Sequence, residues 1–326
     1  MDNKKENSII FGLSTSKKMA EEVAKHLDLE LGVMKKNQFA DGEIFVESKS
    51  SVRAKSVFII QSTNKPANDN LMELLLALDA FKRSSAKEIN VIIPYFGYAR
   101  QDRKVFGRQP ISAKLVANML VNAGADRIIT FDIHSEQIVG FFDIPVDNLK
   151  GSGLIASEVK KLNLDNLTIV SPDHGGVSRA RQFAKLFNAP LAVIDKRRVG
   201  PNQAESMFIL GEVKDKNIVI YDDMVDTGGT VSAAAKILKE NGAISVYLAT
   251  THGVLSYNKS KNISAIDNLK NAGIKKVFIT NSIKQNTDDD FIVEINLAEI
   301  IAETIKNHIN GKSITDHFIK KYNTEI

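Results

Sequence analysis

The stretch Ile218–Leu238, IVIYDDMVDTGGTVSAAAKIL, constrains the fold more than any other part of the chain. Ile218–Tyr221 is apolar at every position, which reads as a strand buried on both faces of a sheet. Two carboxylates and a pair of glycines end that run. Val231, Ala234, Ala235 and Leu238 then share one face of a helix that closes at Asn241–Gly242.

Similar apolar runs recur along the chain. The first half has Ile9–Leu13, Val57–Gln61, Ile89–Pro94 and Arg127–Phe131. The second has Leu167–Val170, Leu191–Ile194, Asn217–Ile220, Ser245–Ala249 and Lys276–Thr280. Helical patterns lie between them. Leu71, Leu74, Leu75 and Leu78 form one apolar face, with Asp69 or Asn70 as the expected N-cap. Strand and helix alternating in this way predict α/β layers around mainly parallel sheets. VFIIQST and its following helix and strand match IVIYDDM and its own in pattern, so the halves read as copies of one unit. A boundary is expected at DNLKGSG, giving domains 1–149 and 150–326.

The chain has no cysteine, which excludes disulfides, thiolate metal sites and a cysteine nucleophile and fits a reducing cytoplasm. Its 43 basic and 39 acidic residues leave +4 and form no basic stripe, so no nucleic-acid partner is expected. The opening MDNKKENSII mixes charges without an apolar core, and no uncharged apolar run approaches bilayer length. Neither a secretory signal nor a membrane partner is expected.

The loop after the strand has two chemical ends. Asp226-Thr227-Gly228-Gly229-Thr230 enters a helix, where glycines allow close approach and the first-turn amides suit an anion. The Thr227 and Thr230 hydroxyls add donors, so this end suits a phosphate. Asp222 and Asp223 would repel one; carboxylates only accept hydrogen bonds, and the 2- and 3-hydroxyls of a ribose are natural partners. The arrangement resembles the phosphoribosyltransferase loop. It marks where a ribose phosphate sits and leaves the reaction open.

Further motifs follow one another along nearly the whole chain: FADGEI (Phe39–Ile44), NDNLMELLLALDAFKRSSA (Asn68–Ala86), IPYFGYARQDRK (Ile93–Lys104) and FDIHSEQIVGFFDIPVDNL (Phe131–Leu149). SPDHGGVSRAR (Ser171–Arg181), DKRR (Asp195–Arg198) and ATTHGVLS (Ala249–Ser256) complete the set. In this order they resemble the class I ribose-phosphate pyrophosphokinases. The resemblance implies two tandem phosphoribosyltransferase-like domains, each a mainly parallel sheet flanked by helices. It also implies transfer of the β,γ-pyrophosphoryl group of Mg-ATP to ribose 5-phosphate.

Site roles follow on the same terms. Asp41 and Glu43 can accept from an adenine amino group, with Phe39 stacking nearby; Arg100 and Gln101 follow an apolar strand and suit ATP phosphates. His134 and Asp173 sit in loops after strands. Magnesium prefers oxygen, so the residues alone leave His134 open as ligand or structural hydrogen-bonder. The resemblance implies that both bind magnesium and that His134 also contacts ATP. It implies Lys196 and Arg198 as the catalytic cations, with Arg198 also reaching ribose 5-phosphate, on the loop RRVGPNQAESM. Asp222, Asp223, Asp226, Thr227, Gly228, Gly229 and Thr230 take the ribose 5-phosphate. The C-terminal SITDHF resembles a regulatory segment, implying an allosteric site from Arg83, Ser313, Thr315 and Phe318, with the 311–326 tail packing back on the first domain. A homo-oligomer, commonly a hexamer, is implied as well.

Two motifs mislead. Gly311-Lys312-Ser313 looks like the end of a Walker A loop, but Lys306 stands where its first glycine belongs. Gly151-Ser152-Gly153-Leu154-Ile155-Ala156 matches a dinucleotide fingerprint, yet the preceding DNLK does not read as a strand. The chain also departs from the family pattern at Val105-Phe106-Gly107 and in YNKSKNISAIDNLKNAG after Leu255-Ser256, neither expected to touch the chemistry. Two other functions remain to be weighed: a base phosphoribosyltransferase, which would not need the first half, and a non-catalytic regulatory homologue.

Overall fold

The computed structural model describes residues 7–197, 206–286 and 289–316 with Lys5 and Lys321, the side chains of Lys196, Arg197 and Ser206 excepted. It contains two α/β sheets. The N-terminal sheet joins β1 (Ser8–Gly12), β2 (Glu30–Leu31), β5 (Ser56–Ile60), β6 (Glu88–Ile93), β7 (Arg127–Phe131) and β8 (Val146–Leu149) in the order β2-β1-β5-β6-β7-β8, all parallel. Between β2 and β5 the chain forms a separate antiparallel hairpin, β3 (Met34–Gln38) and β4 (Ile44–Ser48).

The second sheet runs β11-β10-β9-β12-β13-β14-β15. Its members are β9 (Leu167–Ser171), β10 (Leu191–Arg197), β11 (Ser206–Leu210), β12 (Asn217–Val225), β13 (Ser245–Gly253), β14 (Val277–Thr280) and β15 (Ile292–Ile295). Only the edge pair β10–β11 is antiparallel.

Alternate residues of each strand feed opposite faces. In the first sheet Ile9, Phe11, Val57 and Ile59 pack with Leu71, Leu74, Leu78 and Phe81 of α2 (Ala67–Arg83) and Leu120 of α3 (Ser112–Ala123). Ile10, Phe58 and Ile60 face the other way, against Val23 of α1 (Lys17–Leu27) and Ile301 and Ile305 of α8 (Ala298–Asn310). The chain therefore returns to its first domain through α8, ahead of the 311–326 tail. In the second sheet Ile218 and Ile220 meet α6 (Gly229–Glu240) and Leu269 of α7 (Ala265–Asn271). Val219 and Tyr221 meet α4 (Ser152–Lys160) and α5 (Val177–Lys185), where the rings of Phe183 and Tyr221 stack at 3.9 Å.

Local expectations are corrected at three places. Neither Asp69 nor Asn70 caps α2: the extended residue Pro66 stands at the N-cap, the helix begins at Ala67, and buried Asn70 donates from its side chain to the Asn64 carbonyl. Residues 146–149 form β8, so most of DNLK is a strand, hidden because only its ends are apolar. The glycine motif after it still makes no βαβ unit, because β8 belongs to the first sheet and α4 covers the second. The strand predicted to end at Tyr221 runs on to Val225, carrying both carboxylates within it.

Candidate active site

Loops at the C-terminal ends of both sheets meet across the domain boundary. His252, buried between the domains, donates from Nε2 to the Phe131 carbonyl at 3.0 Å and accepts at Nδ1 from Ser282 at 2.9 Å. Burial holds it below the ordinary histidine range, which suits these neutral roles. Thr251 Oγ1 donates to Asp132 Oδ2 at 2.6 Å, and the Gly151 amide donates to the same oxygen at 2.8 Å. This seam fixes the β7 loop, which leads to His134, against the end of β13.

A cleft of about 630 Å³ opens along the seam. His134, Asp173, Asp222 and Asp223 line it together, with Asp102, Arg103 and Arg179. His134 Nδ1 donates to Asp223 Oδ2 at 2.7 Å. Arg179 bridges the acid pair, at 2.5 Å to Asp222 Oδ1 and closer to Asp223 Oδ1, and reaches the His134 carbonyl at 3.1 Å. The two carboxylates are therefore not open acceptors on a loop: Asp223 is 5% exposed and both carry cationic or imidazole partners. Buried charges require such pairing, which explains how β12 continues through them.

The environments of the two acids differ. Burial and the adjacent Asp223 charge push Asp222 up to about 7. Asp223 is held down to about 2, against the pull of burial, by the His134 hydrogen bond and the Arg179 charge. The Asp223 hydrogen bond in turn raises His134. Asp173 Oδ1 accepts from the Gly176 amide at 2.9 Å.

Arg100 lies at the edge of this site, where Nη1 donates to Asp226 Oδ2 at 2.6 Å across the domains. Gln101 is exposed, and its side-chain oxygen accepts from Ser112 Oγ at 2.5 Å. Beyond Asp226 the chain turns through Thr227 into Gly228, whose φ of 73° only glycine adopts without strain, and α6 begins at Gly229. Thr230 stands in its first turn. The first-turn amides of α6 have no partner within the helix, as at any helix start.

Other expected residues lie apart. Phe39, Asp41 and Glu43 sit on the β3–β4 turn, outside the cleft of the single chain. Asp41 Oδ1 accepts from the Glu43 amide at 3.1 Å, and the exposed Phe39 ring meets Phe45 edge-on. Arg83 ends α2 and pairs with Asp79, on the face of the first sheet opposite α8, which leads to Ser313 and Thr315. One chain does not bring them together, and Phe318 lies outside the described residues. So do Arg198 and the Lys196 side chain; the Lys196 main chain belongs to β10.

Two contributors carried no role in the sequence reading. Arg179 stands inside the quoted SPDHGGVSRAR stretch, but only the folded chain shows which carboxylates it meets. Asn268 belongs to the divergent segment after Ser256. Contrary to expectation that segment does touch the phosphate loop, because Asn268 Nδ2 donates to the Thr227 carbonyl at 3.1 Å.

Comparison with known proteins agrees with this architecture. Residues 8–124 match the model described as the N-terminal domain of ribose phosphate pyrophosphokinase, and 147–283 the phosphoribosyl transferase domain. A Bacillus cereus ribose-phosphate pyrophosphokinase is 47% identical over 311 residues, covering 95% of this chain and 96% of the relative. Ribose-phosphate pyrophosphokinase 2 of Enterococcus faecalis is 48% identical over 316 residues, with 96% of each chain covered. The crystal structure of phosphoribosylpyrophosphate synthetase from Mycobacterium smegmatis superposes with a TM-score of 0.86 at 39% identity, covering 94% of this chain and 99% of that one. With two such domains built around a shared cleft, the chain belongs to the ribose-phosphate pyrophosphokinase family.

Proposed function

We propose that the seam cleft is where this chain performs its family's reaction, making 5-phosphoribosyl 1-pyrophosphate and AMP from ATP and ribose 5-phosphate. The observation carrying the reading is the Arg179–Asp223–His134 junction, which joins the nucleotide-side loop of one domain to the sugar-side strand of the other. The anomeric hydroxyl attacks the β-phosphorus; the bond to the α-phosphate oxygen breaks, and AMP departs with that oxygen. Such transfers ask the protein for position and charge more than for covalent work.

Asp222 and Asp223 serve the ribose hydroxyls, held as a pair by Arg179. Asp226, Thr227, Gly228, Gly229 and Thr230 anchor the 5-phosphate. Phe39, Asp41 and Glu43 serve the adenine, and Arg100 and Gln101 the triphosphate. The separation of the β3–β4 turn from the cleft favours a homo-oligomer, a hexamer in the family pattern, in which the turn serves a neighbouring site. Lys196 and Arg198 act on the transferring group. The strand that carries the Lys196 main chain, β10, leads to the cleft side of the second sheet, and His174 Nε2 donates to the adjoining Asp195 at 2.7 Å. The setting is the cytoplasm; no helix among the described residues is long and apolar enough to cross a membrane.

Magnesium fits the donor set. His134 has Nδ1 tied to Asp223, which orients the ring and makes Nε2 the nitrogen for a metal. Asp173 adds a carboxylate. Magnesium draws most of its ligands from phosphate and water, so it asks for few protein side chains. When bound, magnesium neutralises triphosphate charge.

Incubation with ATP, magnesium and ribose 5-phosphate tests the reading through AMP release. Activity only with a base and the activated sugar would select a phosphoribosyltransferase, and no activity with either would select a regulatory homologue.

A further inference from the structure

The back of the phosphate loop is tied down carbonyl by carbonyl. Val225 O accepts from the Val254 and Leu255 amides at 2.9 and 3.1 Å, and Asp226 O from the Ser256 amide at 3.1 Å. The next carbonyl, Thr227 O, accepts at 3.1 Å from the side chain of Asn268 on α7. The first two ties are main-chain bonds, indifferent to residue type. The third depends on one carboxamide, in a segment that departs from the family pattern.

In a trans peptide the carbonyl and the following N–H point in opposite directions. Holding Thr227 O toward α7 therefore turns the Gly228 N–H away from it, to the side where the loop is open. Without that anchor the peptide has little to resist rotation, since Gly228 sits at φ 73° with no side chain of its own. Leu269 closes the space behind Gly228, where an added Cβ would lie 3.2 Å from it. Ser232 of α6 donates to the Asn268 carbonyl at 3.2 Å, so α6 and α7 hold one another in register.

We propose that Asn268 is a positioning residue for the sugar phosphate: it locks the Thr227–Gly228 peptide so that the Gly228 amide faces the 5-phosphate. The inference rests on the placement of ribose 5-phosphate at this loop. Asn268 itself meets no substrate, and its effect reaches the ligand through one amide.

The test uses the full-length protein with Asn268→Asp, which keeps the shape but replaces the donor with a carboxylate, and Asn268→Ala in parallel. The expected result is a KM for ribose 5-phosphate raised about tenfold, the scale of one lost hydrogen bond to an anion. The KM for ATP and kcat at saturation stay within about twofold. Calorimetric titration with ribose 5-phosphate weakens by the same factor, while the melting temperature of Asn268→Asp stays near that of the parent. An unchanged KM in both variants overturns the inference, as does a melting-temperature loss with equal effects on both substrates. A parent protein that does not bind ribose 5-phosphate overturns the placement of the sugar as well; a parent that binds, with variants that bind equally, overturns only the role of Asn268.

Discussion

Asp222 and Asp223 are neighbours in sequence with opposite electrostatic settings, and the difference is measurable. Asp222 is raised to about 7, so the folded state binds a proton that the unfolded chain, with an ordinary carboxyl near 4, does not. Its contribution to stability is therefore greatest at low pH and falls as pH rises from about 4 to 7. Urea unfolding at pH 5.5 and 7.5 should show a smaller stability loss on raising pH in Asp222→Asn than in the parent. An equal pH dependence would remove Asp222 as the source. Lys196 belongs to the same scale but acts at a different moment. Lys196→Ala is expected to lower kcat by about a hundredfold with a smaller change in KM, the pattern of a contact made in the transition state. Steady-state kinetics with saturating ATP checks this, and near-parental turnover would count against the assignment.

At the scale of elements, the unit that matters is β12, its loop and α6. The loop changes direction at Gly228, and the requirement there is conformational as well as spatial: a positive φ with Leu269 directly behind. Gly228→Ala should cost roughly 1–2 kcal/mol in folding, from the left-handed backbone alone. It should also weaken ribose 5-phosphate, because the loop can relieve the strain only by moving its amides. Chemical denaturation and substrate titration on one preparation separate these effects. The β3–β4 hairpin shows why some elements escaped a reading by periodicity. Of its strands, MKKNQ is mostly polar, and neither it nor IFVES has a buried residue, so no buried face marks them. The edge strands β11 and β15 escaped for a related reason, having a neighbour on one side only.

For the whole molecule, the C-terminal helix ties the ends of the chain together. α8 follows the last strand of the second sheet yet packs on the first, with fully buried Ile305 in the same cluster as Phe58 and Ile60. Asn296, just before it, donates to Glu22 of α1 at 2.6 Å. Ile305→Ala should cost about 3 kcal/mol by opening a cavity beneath β5. Since α8 crosses the domain boundary, one cooperative urea transition is expected to shift as a whole. A shift confined to a separate, second transition would show that the domains fold independently.

The sequence by itself determined the strand–loop–helix units and the two mainly parallel sheets, and it set carboxylates, glycines and hydroxyls side by side in Asp222–Thr230. These depend on local facts: runs of apolar residues, glycine at a turn, hydroxyls beside a helix start. Tertiary structure decided what those groups meet. Arg179 lies 43 positions before Asp222, and His134 reaches Asp223 across 89 positions, separations at which no periodicity carries information. The same holds for Asn268 behind Thr227 and for α8 on the first sheet. A residue's chemistry is written in its side chain, but its partner is set by how distant strands and helices pack.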